Sequence, residues 1–217
     1  VVLIPAFAVE RTQELLVDLV GAMRAGDLPS IPVFIDSPLA SRATTVFAAH
    51  ARDLENGGDL LAALRAPEVR FTESVEASKA LDKQTGFHIV LAASGMCDAG
   101  RIVGHLKQNV DDPRCTVVLV SFQAPGTTGR RLLEPKPTVR FLGRDWNKWI
   151  EVVHLEGFSG HADREDFLAY LSPLAGKVGK VRLIHGEREQ AEALAGTLRV
   201  GFADVAVPAP GDRVVIG

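Results

Sequence analysis

Cys115-Thr116-Val117-Val118-Leu119-Val120-Ser121-Phe122 is a valine-rich apolar run opened by the turn residues Asp111-Asp112-Pro113. Such a run predicts a strand buried on both faces, the mark of a parallel sheet. Strand-like runs of the same kind recur upstream at residues 1–4, 33–36, 69–71 and 88–93. Helical periodicity fills the gaps between them. Val9, Leu15, Leu16, Leu19, Val20 and Met23 repeat at helical spacing, and Ser37-Pro38 opens a second helix. Residues 76–83 and 99–110 read as helices, the latter stopped by Asp111-Asp112-Pro113. This alternation predicts an α/β fold, a mostly parallel sheet with helices on both faces.

The texture changes near Glu134-Pro135-Lys136-Pro137, which places a domain boundary near residue 137 and divides the chain into 1–137 and 138–217. Beyond it, residues 138–142 and 150–155 read as two strands of a hairpin through Asp145-Trp146-Asn147. A helix over 164–174, a strand over 181–184 and a helix over 187–198 follow, with short strands at 203–207 and 214–216.

At 217 residues and 47% hydrophobic, the chain can bury a sizeable core as one large domain or two small ones. A net charge of −3 argues against a non-specific nucleic-acid coat, which would be basic, while leaving room for a local cationic cleft. With only Cys97 and Cys115, a disulfide framework is not expected, and a reducing, cytoplasmic setting fits better. No apolar run approaches the roughly 18–20 residues of a membrane span. The opening Val1-Val2-Leu3-Ile4, without methionine, reads as an entry in mid-strand and hence as a fragment.

Two histidine motifs carry the strongest chemical signal. In Gly157-Phe158-Ser159-Gly160-His161-Ala162-Asp163, glycines, a hydroxyl and a helix start suit a phosphate, and His161 suits a general acid. The plain alternative makes Ser159 an N-cap and Asp163 a first-turn acid. In Ile184-His185-Gly186-Glu187, His185 ends an apolar strand, where a neutral imidazole suits zinc and Glu187 suits the carboxylate that orients it. A strand-end histidine bonded to a neighbouring carbonyl is the commoner case. Ser94-Gly95-Met96 followed by Gly100-Arg101 is a strand-to-helix crossover that suits a phosphate oxygen, or an ordinary turn. Gly126-Thr127-Thr128-Gly129-Arg130-Arg131 offers two arginines that could track a nucleic-acid backbone or be solvated. Asp36 reads as a structural cap.

Taken together, these segments resemble the β-CASP nucleases of the metallo-β-lactamase superfamily. The resemblance runs in order through Ile4-Pro5-Ala6-Phe7-Ala8-Val9-Glu10-Arg11-Thr12-Gln13-Glu14, Phe34-Ile35-Asp36-Ser37-Pro38-Leu39-Ala40, Phe71-Thr72-Glu73-Ser74, the Ser94 and Arg101 segment, Phe122-Gln123-Ala124 to Leu133, and both histidine motifs. It implies that residues 1–137 are the β-CASP cap and that 138–217 are the closing segment of an αββα lactamase fold. It implies a nuclease with two zinc ions that hydrolyses RNA phosphodiesters, with DNA as a further substrate class and a homodimer left open. By motif, His161 matches a histidine beside the scissile phosphate and His185 matches a zinc ligand. Ser159, Gly160, Ser94, Gly95 and Arg101 would line the substrate cleft, with Asp163 and Glu187 behind them. The family's His-x-His-x-Asp-His signature is absent from these residues and would precede Val1, in an N-terminal lactamase portion. These 217 residues are therefore expected to be inactive alone. The rival reading is a non-catalytic homologue serving as an RNA-binding scaffold, and a free-standing phosphate-binding module is a third.

Overall fold

Val33-Phe34-Ile35-Asp36 and Ile89-Val90-Leu91-Ala92 are buried at every position, as strands covered on both faces must be. A computed structural model describes residues 1–158 and 160–215. The chain divides into two compact units, Val1–Ser159 and Gly160–Gly217.

The first unit is built on a parallel sheet. Its strands are β1 (Val2–Pro5), β2 (Val33–Asp36), β3 (Val69–Phe71), β4 (Ile89–Ala92) and β5 (Thr116–Leu119). Counting a separate hairpin of β6 (Thr138–Phe141) and β7 (Arg144–Asn147), the sheet's last strand is β8 (Glu151–His154). The order is β3-β2-β4-β1-β5-β8, and each neighbouring pair is parallel. Six helices, α1 (Arg11–Ala25), α2 (Pro38–Ala49), α3 (Gly57–Ala63), α4 (Val75–Leu81), α5 (Ile102–Asn109) and α6 (Thr128–Leu133), belong to this unit. The strand side chains alternate between two cores. Ile4, Val33, Ile35, Ile89 and Leu91 pack with Leu15, Leu16 and Val20 of α1 on one face. Leu3, Val90, Val117 and Leu119 pack with Ile102 and Leu106 of α5 and Leu132 of α6 on the other.

The helix ends are set by local chemistry. Ser37 caps α2, accepting from the Ala40 amide at 3.2 Å, with Pro38 at the first helical position. Gly26 ends α1 at φ 85°, where its amide reaches the Ala22 and Met23 carbonyls. Gly100, at φ 77°, delays the start of α5 from the expected residue 99 to Ile102. A Cβ there would lie 2.2 Å from the Ala93 carbonyl oxygen.

The expected hairpin is corrected. Thr138–Phe141 turns at Leu142-Gly143, both at positive φ, and pairs with Arg144–Asn147 rather than with residues 150–155. Two left-handed turn residues match strand twist, so the chain reverses there. The strand at Glu151–His154 instead joins the main sheet beside β5. As a result the compact division falls after residue 159, past the boundary read near 137.

The second unit holds α7 (Arg164–Leu171), α8 (Arg188–Leu198) and a parallel pair, β9 (Val181–Arg182) with β10 (Val205–Ala206). Ala195, Leu198, Phe202 and Val205 form its small core. Residues 214 and 215 are not a strand, and Ile216 lies outside the described residues. Among the described residues, no helix is long and apolar enough to cross a membrane.

Candidate functional site

Because β1, β2, β4 and β5 run parallel, their carboxyl ends share one edge, where open α/β sheets collect ligand-binding loops. Asp36, at the end of β2, is fully buried there. Its Oδ1 accepts from Arg101 Nη1 at 2.7 Å, and its Oδ2 accepts from Ser78 Oγ at 2.6 Å and lies 2.7 Å from His105 Nε2. Burial opposes ionisation of Asp36, but hydrogen bonds from His105, Ser78 and Arg101 outweigh it and hold the carboxyl below its ordinary range. Arg101 also donates to the Thr72 carbonyl at 2.9 Å and the Glu73 carbonyl at 2.6 Å. Its guanidinium is thus a strut between β2, the loop after β3 and α5. Asp36 is the hub of that strut, and the helix cap it was read as is Ser37.

Ser94 and Gly95 follow β4 at the same edge. Gly95 is buried, and a Cβ on it would sit 3.2 Å from Phe7 Cε2 and 3.3 Å from Ser121 Oγ. Its carbonyl accepts from Gln123 Nε2 at 3.0 Å, which ties the loop after β4 to the loop after β5. Gln123 is 1% exposed, and its Oε1 lies 1.7 Å from where a Cβ on Gly129 would stand, so only glycine fits there. Ser121 Oγ is buried without a hydrogen-bond partner. The Gly/Thr turn folds as α6, capped by the Thr127 hydroxyl. Arg130 Nη1 donates to the Gln123 carbonyl at 3.2 Å, and Arg131 donates to the Gly126 carbonyl and to Thr128 Oγ1. Both arginines serve the fold of their own loop.

In the second unit, both motif histidines are exposed and each shortly precedes a helix. Asp163 caps α7 in a reciprocal box: its Oδ1 accepts from the Asp166 amide at 2.9 Å, and Asp166 Oδ2 accepts from the Asp163 amide at 3.1 Å. The cap read for Ser159 therefore belongs to Asp163. Ser159 itself lies outside the described residues. His185 stands at φ 62° and Gly186 at φ 101°, two successive left-handed residues after β9. A non-glycine residue held there marks a constrained turn of the sort found at functional sites. Arg164 Nη2 donates to Thr197 Oγ1 at 3.0 Å, joining α7 to α8 across a cleft of about 470 Å³ that Ala162, Phe167 and Gln190 also border. Ser94, Gly95 and Arg101 lie in the first unit, and Gly160, His161, Asp163, His185 and Glu187 in the second.

Comparison with known families gives this geometry its context. The family described as Beta-Casp domain matches residues 12–132, more than half the chain. The chain belongs to the β-CASP family. A second family, described as Zn-dependent metallo-hydrolase RNA specificity domain, matches residues 150–208 and contains both histidine motifs. The β-CASP chain is 37% identical over 99% of its length to Ribonuclease TTHA0252 of Thermus thermophilus, covering 50% of that protein. It is 30% identical to Transcription termination factor FttA of Methanosarcina mazei, covering 33% of it. It is 32% identical to the FttA of Cenarchaeum symbiosum, again covering 33%. The chain thus spans about half to one third of the relatives it matches.

The description of the second family names zinc. Among the described residues, no group of three or more His, Cys, Asp or Glu side chains is placed to hold a metal ion. Zinc takes four ligands in structural sites and three protein ligands in catalytic ones. His185 and Glu187 alone do not meet that need. Sequence reading missed two buried members of this edge, His105 and Gln123, and took Asp36 for a helix cap where it is a hub. Only Asp36 left a signal, as a carboxylate ending an otherwise apolar strand, which demands buried partners.

Proposed function

We propose that this chain is the cap and closing segment of a zinc-dependent nuclease that hydrolyses RNA phosphodiester bonds. In that reading His161 protonates the leaving oxygen, and His185 supplies one zinc ligand to a two-ion site completed by other residues of the whole protein. Ser159, Gly160, Ser94 and Gly95 line the path of the RNA, Arg101 braces that path, and Glu187 orients His185. The observation that carries the reading is the tandem match of two family descriptions, Beta-Casp domain then Zn-dependent metallo-hydrolase RNA specificity domain, with both histidine motifs inside the second. The printed name of the Thermus relative, a ribonuclease, supports the substrate class.

The chain's own residues determine what His161 can do. It is exposed, two residues before the Asp163 cap, so its ring can reach a ligand while the capping box holds the following backbone. A positioned imidazole acting as a general acid contributes roughly 10²–10⁴-fold in rate.

The test uses the complete protein and a 5′-labelled single-stranded RNA. His161→Ala is expected to lower kcat by roughly 10²-fold or more with bound zinc unchanged. His185→Ala is expected to lower both. Equal zinc loss in the two variants would refute the division of roles, and RNA cleavage by the 217-residue chain alone would refute its assignment as an incomplete enzyme.

A further inference from the structure

Phe158 stands where the first histidine motif leaves the first unit, whose last residue is Ser159. It closes a single 3-10 turn, Glu156–Phe158, that follows β8. Among the described residues from 154 to 167, Phe158 alone is not exposed, and it packs against the core cluster that holds Ile4, Ala8 and Leu15. Gly157 and Gly160 bring no side chain to either side of it. The Phe158 ring is thus the apolar anchor of this stretch, and His161 follows it by three residues.

A cation meets that ring. Arg11 Cζ lies over it, 5.7 Å from the centroid, inside the roughly 6 Å reach of a cation–π contact. The Arg11 side chain is 13% exposed, and Nη1 also pairs with the Glu14 carboxylate. Such a contact is strongest when it is shielded from water in this way. Helix stability does not account for the arginine, because it is the first residue of α1, where a cation opposes the helix dipole.

Short-range bonds fix the backbone that presents Arg11. Glu10 stands at φ 69° and ψ −67°, and the Arg11 amide donates to the Val9 carbonyl at 2.9 Å, closing a three-residue turn of a rare, strained kind. The next two residues hold the loop before it. The Thr12 hydroxyl donates to the Phe7 carbonyl at 2.7 Å, and Gln13 Nε2 donates to the Ala8 carbonyl at 3.2 Å and to Thr44 Oγ1 at 2.7 Å. A strained backbone persists only where its surroundings over-determine it, and such places cluster at functional sites.

We infer that Arg11 is a positioning residue for His161 that acts through Phe158. The guanidinium clamps the ring, and the clamped ring fixes the backbone from which His161 is presented. The inference rests on the general-acid role proposed for His161 and adds what holds that group in place. A misplacement of about 1 Å can cost roughly 10²-fold in rate, so an anchor three residues away acts on kcat without touching RNA or metal.

The experiment uses the complete protein and two readouts. The first is nicking by glutamyl endopeptidase at Glu156-Gly157, inside the anchored turn, located by mass spectrometry. Cleavage of a transiently opened segment follows the population of the open form. Arg11→Gln and Phe158→Leu should each speed nicking at this bond about 5- to 30-fold, the range of a shielded cation–π contact, while Phe158→Tyr keeps the native rate. The second readout is cleavage of a 5′-labelled single-stranded RNA. Arg11→Gln and Phe158→Leu should lower kcat by about 10-fold with KM and bound zinc unchanged, and Phe158→Tyr should keep it. Added to His161→Ala, Arg11→Gln should lower kcat no further, because both changes remove one function. Unchanged nicking overturns the clamp. Faster nicking with unchanged kcat overturns the positioning role, as does an equal fall in kcat with and without His161. Absence of RNA cleavage by the unaltered protein overturns the nuclease reading and the catalytic link with it, and the nicking rates still decide the clamp.

Discussion

Asp36→Asn removes one negative charge from a fully buried position without changing side-chain volume. In the native chain both carboxylate oxygens act as acceptors, Oδ1 for Arg101 and Oδ2 for Ser78 and His105. An amide keeps one acceptor oxygen and turns the other into a donor. If that donor faces Arg101, two N–H groups oppose each other, and guanidinium cannot deprotonate to relieve the clash. If it faces Ser78 and His105, the hydroxyl can rotate and a neutral imidazole can accept, so this orientation is the cheaper one. Arg101 then keeps an oxygen partner but loses its counter-charge. Breaking a buried pair from one side costs about 3–5 kcal/mol. The Arg101 side chain is 18% exposed and retains two carbonyl partners, which favours the low end, about 3 kcal/mol. In a urea titration followed by circular dichroism, with m of about 2 kcal/mol/M, the midpoint should fall by about 1.5 M at unchanged m. The pH dependence has a definite sign. The folded carboxyl titrates below its ordinary value of 3.8, so its stabilisation is complete above that value and fades as pH falls through the lower folded value. Asp36→Asn should abolish that part of the acid sensitivity. A loss below about 1 kcal/mol at pH 7 would place the pair in the range of solvated surface bridges and refute the buried-hub argument.

Gly129→Ala would drive a methyl group to 1.7 Å from Gln123 Oε1, so the Gln123 bridge to Gly95 must shift. Overpacking of this kind costs about 1–3 kcal/mol, and a chain of this size should show it as a fall in Tm of about 2–4 °C per kcal/mol in a thermal melt. Cys97 is fully buried, and burial together with the nearby Asp98 pushes its thiol up from 9.0 to about 12. The folded chain should resist an aromatic disulfide reagent at pH 8 until denaturant is added. Because the unfolded thiol ionises first, stability should fall by about 1.4 kcal/mol per pH unit above about pH 9, a trend that Cys97→Ala should remove.

What the sequence shows and what it hides follow from the range of the interactions involved. Strands β1, β2, β4 and β5 were legible because a parallel strand buried on both faces must be apolar at nearly every position. The capping Ser37 and Ser74 sit within three residues of the amides they satisfy, and they can be read for the same reason. The second hairpin strand was misplaced because its turn is Leu142-Gly143, where the usual Asn-Gly sign is missing. The true partner of residues 151–154 is β5, more than thirty residues upstream, and no local pattern announces such a pairing. The histidine motifs stood out because glycines flank them, and the left-handed turn at His185-Gly186 gives one of those glycines its physical reason. Arg101 shows the opposite case. A cation after a glycine at a strand-to-helix crossover has the local pattern of a phosphate ligand, yet its charge is already committed to an acid 65 positions away. The deciding clue was the acid, not the arginine. A carboxylate that ends a strand as apolar as Val33-Phe34-Ile35 cannot be buried without cationic or hydroxyl partners, and those partners must come from the neighbouring crossovers. Once Asp36 claims Arg101, and the loop carbonyls claim Arg130 and Arg131, the cations that looked like phosphate ligands in the sequence are committed to the fold of this edge.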